Sequence, residues 1–193
     1  MCIRDSAATA LRMVNELAGL GLSDDRLRSL GLELGADVPF FVSCRPSRVA
    51  GIGEQISPLA AWPQEPLVVA FSGPGLATAA VYARYDASLT SQKAASSIRV
   101  FPHLPGSRHR NDLELAASQM DPGVNKLKQD LLAGGASEVG MSGSGSAVFG
   151  FFRDEATANA CAKGLSEGGV WAAATTVLAS ACPIERTGLE IDW

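Results

Sequence analysis

Gly140-Met141-Ser142-Gly143-Ser144-Gly145-Ser146-Ala147-Val148-Phe149-Gly150 is the stretch that decides the fold. Its centre holds only glycine and serine, and apolar residues flank it, so Ser137 to Phe152 reads as two strands joined at a tight loop. Moving outward, Asp154 caps a helix to about Leu165, and Val170 to Leu178 is a final strand. Upstream, helices are expected at Asp112 to Gln119 and Val124 to Ala133, with Pro122-Gly123 breaking between them. Ser88 to Arg110, with Pro102, Pro105 and Gly106, reads as a long surface loop. Leu67 to Phe71 has strand character and Leu76 to Ala87 helical periodicity. Helices followed by strands in this mixed order predict an α+β fold, helices packed on one face of an antiparallel sheet.

The amino-terminal third is helical in pattern. Ala7, Leu11, Val14 and Ala18 recur at helical spacing and Leu17 widens the stripe, so this helix needs a partner surface. A second helix is expected from Asp24 through Leu34, capped by Ser23 or Asp24, with Leu27, Leu30 and Leu34 on one face and Gly35 ending it. Arg48 to Ser57 reads as strand and turn around Gly51-Ile52-Gly53-Glu54, and Ala61 to Pro66 as a linker that sets a domain boundary. Met1 to Ser6 fits poorly with the helical pattern that begins at Ala7 and is expected to be a non-native scar.

The chain has 193 residues, 47% of them hydrophobic, enough for a real core. A formal charge of −4 argues against a nucleic-acid partner, which needs a basic face. Cys2, Cys44, Cys161 and Cys182 lack metal-ligand spacing, so reduced thiols in a cytoplasmic protein are expected, with no metal held by protein residues alone. No stretch reaches the roughly 18 apolar residues of a membrane helix.

The Gly/Ser loop fails three familiar tests. No Gly-Lys-Ser or Gly-Lys-Thr supplies a Walker lysine and hydroxyl, a dinucleotide fingerprint needs glycine at Val148, and a nucleophile elbow around Ser142 needs glycine at Ser144. What remains is a row of small residues whose amides and hydroxyls suit an anion-binding nest, or a plain Gly-rich turn. A second segment, Gly35-Ala36-Asp37-Val38-Pro39-Phe40-Phe41, puts an acid in a tight turn. Pro39 is expected to hold Val38 extended and so aim the Asp37 carboxylate. Such a group accepts the proton of a substrate hydroxyl that attacks phosphorus, or it merely caps the segment beginning at Pro39.

Ser142-Gly143-Ser144-Gly145 followed by an apolar strand resembles the third conserved motif of the GHMP family of small-molecule kinases, and the Asp37 segment resembles the stretch bearing that family's catalytic aspartate. The resemblance implies ATP as phosphoryl donor with Mg²⁺ bridging its phosphates, Ser142, Gly143, Ser144 and Gly145 beside those phosphates, and Asp37 as catalytic residue. Arg45 to Glu54, Thr78 and Tyr82, and Asn111-Asp112-Leu113-Glu114 resemble the branch that phosphorylates diphosphocytidyl-methylerythritol in non-mevalonate isoprenoid precursor synthesis. It implies Thr78 and Tyr82 as substrate-binding residues, Tyr82 stacking on the cytosine ring; a half-buried helix aromatic is the competing reading. Homoserine or mevalonate-type kinases, and a non-catalytic ligand-binding member, are the alternatives. The implied architecture is a remnant of the ribosomal S5 domain 2-like amino-terminal domain over 7–62, a ferredoxin-like carboxyl-terminal domain over 63–182, and a tail over 183–193. The resemblance covers the family's carboxyl-terminal two-thirds, without its Gly-rich second motif, so the chain by itself is expected to be inactive and Asp37 to lack an orienting cation. A small-molecule substrate, no membrane and a possible homodimer complete the expectation.

Overall fold

The computed structural model describes residues 3–59, 63–73, 75–94 and 109–177. The chain divides into two compact units, one ending at Gln64 and the other spanning Glu65–Val177. The linker residues 60–62, most of the expected loop from 88 to 110, the end of the last strand at Leu178 and the tail lie outside the described residues.

In the first unit, helices α1 (Ile3–Leu17), α2 (Asp24–Leu34) and α3 (Val38–Ser43) precede a hairpin of β1 (Ser47–Ala50) and β2 (Gln55–Pro58). Helix α1 begins at Ile3, so residues 3–6, expected to be a scar, are its first turn. Its buried residue is Ala8, with Ala7 and Leu11 packed beside it. Val14 and Leu17 are instead 57% and 60% exposed and lie outside the cluster formed by Ala7, Ala8 and Leu11. Ser23 accepts from the Arg26 amide and caps α2, as its side-chain chemistry dictates. Leu27 faces the core, but Leu34 is exposed; Gly31 takes the inner position because a Cβ there would meet Val38 Cγ1 at 3.0 Å. Val38 opens α3 as a helical residue, not the extended one expected. Pro39 then falls in the first turn, where a missing N–H leaves no helical bond unmade and φ is already suited.

The second unit holds a four-stranded antiparallel sheet in the order β4-β5-β3-β6: β4 (Glu138–Met141), β5 (Ala147–Phe151), β3 (Pro66–Phe71) and β6 (Trp171–Thr176). Helices α4 (Thr78–Ala94), α5 (Glu114–Met120) and α6 (Gly123–Ala133) lie between β3 and β4, and α7 (Glu155–Glu167) between β5 and β6. That is the split β-α-β order of a ferredoxin-like sheet. Alternation along the strands decides the core: Val68, Ala70 and Val148 turn inward with Leu127, Leu131, Ala158 and Ala162 of the helices. Helix α4 runs to Ala94 where the sequence suggested an end at Ala87, since polar Ser88 and Thr90 do not break a helix already docked through Val81 and Tyr85.

Asp154 caps α7 by accepting from the Thr157 amide, and that bond, followed by the Thr157 hydroxyl, holds its carboxyl below the usual carboxylate range. A depressed folded-state pKa adds stability that is present above the unfolded value and is lost as pH falls through the folded one. The melting-temperature gap between wild type and Asp154→Asn is therefore expected to widen as pH rises through the carboxylate range and to narrow as pH falls below it. A gap independent of pH in thermal melts would contradict this.

Candidate active site

Asp37 sits in the first unit, in the turn between Gly35 and α3. It occupies the N-cap position with φ −90° and ψ −16°, yet its side chain makes no capping bond. The carboxylate is 56% exposed and accepts from Arg4 Nη1 at 2.5 Å. Asp37 thus has a cation, contrary to expectation: α1 continues back through Arg4, a residue of the stretch expected to be a scar. The turn is gripped from the other side by the hairpin. Gly53, at φ +127°, lies so close that a Cβ would come within 1.8 Å of the Ala36 carbonyl oxygen. Glu54 folds back over this hairpin turn and accepts from the Ile52 amide at 2.8 Å. Gly-Ile-Gly-Glu is therefore a close-approach motif that fixes the backbone next to Asp37.

The Gly/Ser loop sits in the second unit, between β4 and β5. Gly145 N donates to Ser142 O at 3.1 Å, and Ser142 N to Ala147 O at 2.9 Å. Gly143 and Gly145 take φ +57° and +83°, conformations that glycine adopts freely. Three neighbours clasp the loop. Ser144 Oγ lies 3.0 Å from Thr78 Oγ1, the first residue of α4; Ser146 Oγ donates to Gly73 O at 3.3 Å; and Asn111 donates to the carbonyls of Met141 and Gly143 at 2.9 and 2.7 Å. Among the described residues, the amides of Gly143 and Ser144 have no bond to a protein acceptor. Amides without a protein acceptor, beside the first turn of a 17-residue helix, make a local anion-attracting surface.

Tyr82 lies one helical turn beyond Thr78, on the same face of α4, and is 51% exposed. The structure thus gathers Thr78, Tyr82 and Ser142 to Gly145 in one unit, and holds Asp37 in the other. Asn111 is the residue whose part sequence reasoning missed; only its place in an Asn-Asp-Leu-Glu segment hinted at it. His109, too sparse in sequence to name as a site, packs structurally: its ring stacks on Phe151 at 4.9 Å and meets Phe149 edge-on at 5.2 Å. Among the described residues no group of three or more His, Cys, Asp or Glu is placed to hold a metal, and no helix is long and apolar enough to cross a membrane.

Residues 95–170 match the family described as GHMP kinases C terminal. It is 39% identical over 174 residues to the 4-diphosphocytidyl-2-C-methyl-D-erythritol kinase of Geobacter sp. (strain M21), an alignment covering 87% of this chain and 60% of that relative. The crystal structure of a 4-(cytidine 5'-diphospho)-2C-methyl-D-erythritol kinase superposes with a TM-score of 0.66 at 30% identity, covering 88% of this chain and 62% of that one. Mevalonate kinase of L. major shares the fold alone, at 17% identity and a TM-score of 0.55, covering 92% of this chain and 67% of its own. The chain spans about three-fifths of the length of the curated relatives it matches.

Proposed function

We propose that these residues belong to an ATP-dependent kinase that phosphorylates a hydroxyl of diphosphocytidyl-methylerythritol, in isoprenoid precursor synthesis in the cytoplasm. The observation that carries this reading is an Asp37 carboxylate that stands at a helix start, spends nothing on capping it, and is aimed by Arg4 and by the Gly53 approach. Asp37 accepts the proton of the substrate hydroxyl as its oxygen bonds to the γ-phosphorus. MgATP supplies the phosphoryl group when bound. The free amides of Gly143 and Ser144, with the hydroxyls of Ser142 and Ser144, suit its phosphate oxygens. Tyr82 offers its face to the cytosine and Thr78 shares that side of α4. The reading extends to domains of 7–62 and 63–182, to a possible homodimer, and to the inactivity of the 193 residues alone.

The test is ADP release from MgATP with diphosphocytidyl-methylerythritol, homoserine or mevalonate. It compares this chain with a chimera that adds the segment of the Geobacter sp. relative which the chain does not span. Turnover of the first substrate by the chimera only is the expected result. Turnover of another alcohol, or of none while ATP binds, would move the assignment to another GHMP activity or to a non-catalytic member.

A further inference from the structure

Asn111 ties two segments together through three hydrogen bonds. Its two Nδ2 protons go to the carbonyls of Met141 and Gly143, and its Oδ1 accepts from the Leu113 amide at 3.0 Å, just before α5. The Ser142–Gly145 bond closes a four-residue turn whose central residues are Gly143 and Ser144. Gly143 has φ +57°, while Cys44 is the sole non-glycine with positive φ among the described residues, so Ser144 stays on the negative side. Positive then negative is the pattern of a type II′ turn. The alternative with the same ends, type I′, flips the peptide between Gly143 and Ser144 and forces Ser144 to positive φ. In a trans peptide the N–H points opposite to the C=O. By holding the Gly143 carbonyl, Asn111 therefore sends the Ser144 N–H to the side away from itself.

We propose that Asn111 is a positioning residue: it sets the orientation of the 143–144 peptide and thereby presents the Ser144 amide to a phosphate group. The second half of this rests on the phosphate reading of the loop. Two variants separate the roles. Asn111→Asp keeps the acceptor for Leu113 but replaces both donors with oxygen that repels the two carbonyls; Asn111→Leu removes the bonds without adding charge.

The experiment follows backbone amide resonances by ¹⁵N NMR in both variants, then titrates inorganic tripolyphosphate. The expected result is a shifted or broadened Ser144 signal in both variants, α5 amide protection kept in Asn111→Asp, and a Kd for tripolyphosphate weakened about tenfold in Asn111→Leu, the size of one misdirected hydrogen bond. An unmoved Ser144 amide in both variants, or signals lost throughout the unit in both, would overturn the positioning role. If Ser144 moves while wild type ignores tripolyphosphate, the positioning stands and the phosphate reading of the loop falls.

Discussion

Asp37→Asn in the chimera is expected to lower kcat by roughly 10²–10⁴-fold, the range supplied by a positioned general base, with little change in the KM for ATP. The substitution keeps shape and removes only the ability to take a proton, so it addresses chemistry apart from packing. Its main structural cost is the pair with Arg4, and both side chains are more than half exposed. Such surface pairs contribute little to stability. Melting temperature should therefore barely move while turnover collapses, and a loss of both together would point to a structural Asp37. A kcat within a few-fold of wild type would remove Asp37 from the chemistry and leave positioning and charge stabilisation to carry the reaction.

Gly53→Ala should disturb the same turn from behind. The added Cβ would sit 1.8 Å from the Ala36 carbonyl oxygen, and this contact is with backbone, which has no rotamer to yield. A φ of +127° is also strained for any residue with a Cβ. Strain and overpacking together come to about 2–4 kcal/mol, large against the small core of the first unit. Hydrogen exchange is expected to show lost protection over residues 3–59 and retained protection over 65–177, and the chimera should lose activity with Asp37 intact. Wild-type protection in the hairpin would show that the approach of Gly53 to Ala36 is loose.

Much of the second unit was legible because its signals are local. Glycine and serine between two apolar runs marked β4, the loop and β5; Asp154 announced the start of α7; Pro122-Gly123 separated α5 from α6. The match to GHMP kinases C terminal over 95–170 includes Ser142-Gly143-Ser144-Gly145, the segment whose wording carried the resemblance in the sequence. What escaped was set by partners distant in sequence. The proline after Val38 favours an extended residue there, whereas docking of α3 against Gly31 and Ala8 makes a helical Val38 the better packed choice. Arg4 lies in a stretch of unpromising composition, yet 33 residues of separation vanish when α1 packs on α3. Asn111 was visible only as part of the Asn-Asp-Leu-Glu segment, and its task was not, because an asparagine that joins two carbonyls of another segment looks in sequence like any loop asparagine. The residues proposed to act are thus visible, and those that aim them largely are not.

Among the described residues the two cores are unequal: Ala8, Leu27, Val38 and Val42 form the buried cluster around Asp37's mount, against fifteen residues in the cluster of the sheet unit. A chain whose margin is this uneven tolerates substitution unevenly. One lost methylene is worth about 1 kcal/mol in either core, but it removes a far larger share of the thinner one's reserve. Random variation should therefore be purged soonest in α1 to α3, even far from the carboxylate. The sheet unit is then the part of the sequence free to drift, and stabilising substitutions placed in the first unit are those that would widen what the rest of the chain can explore.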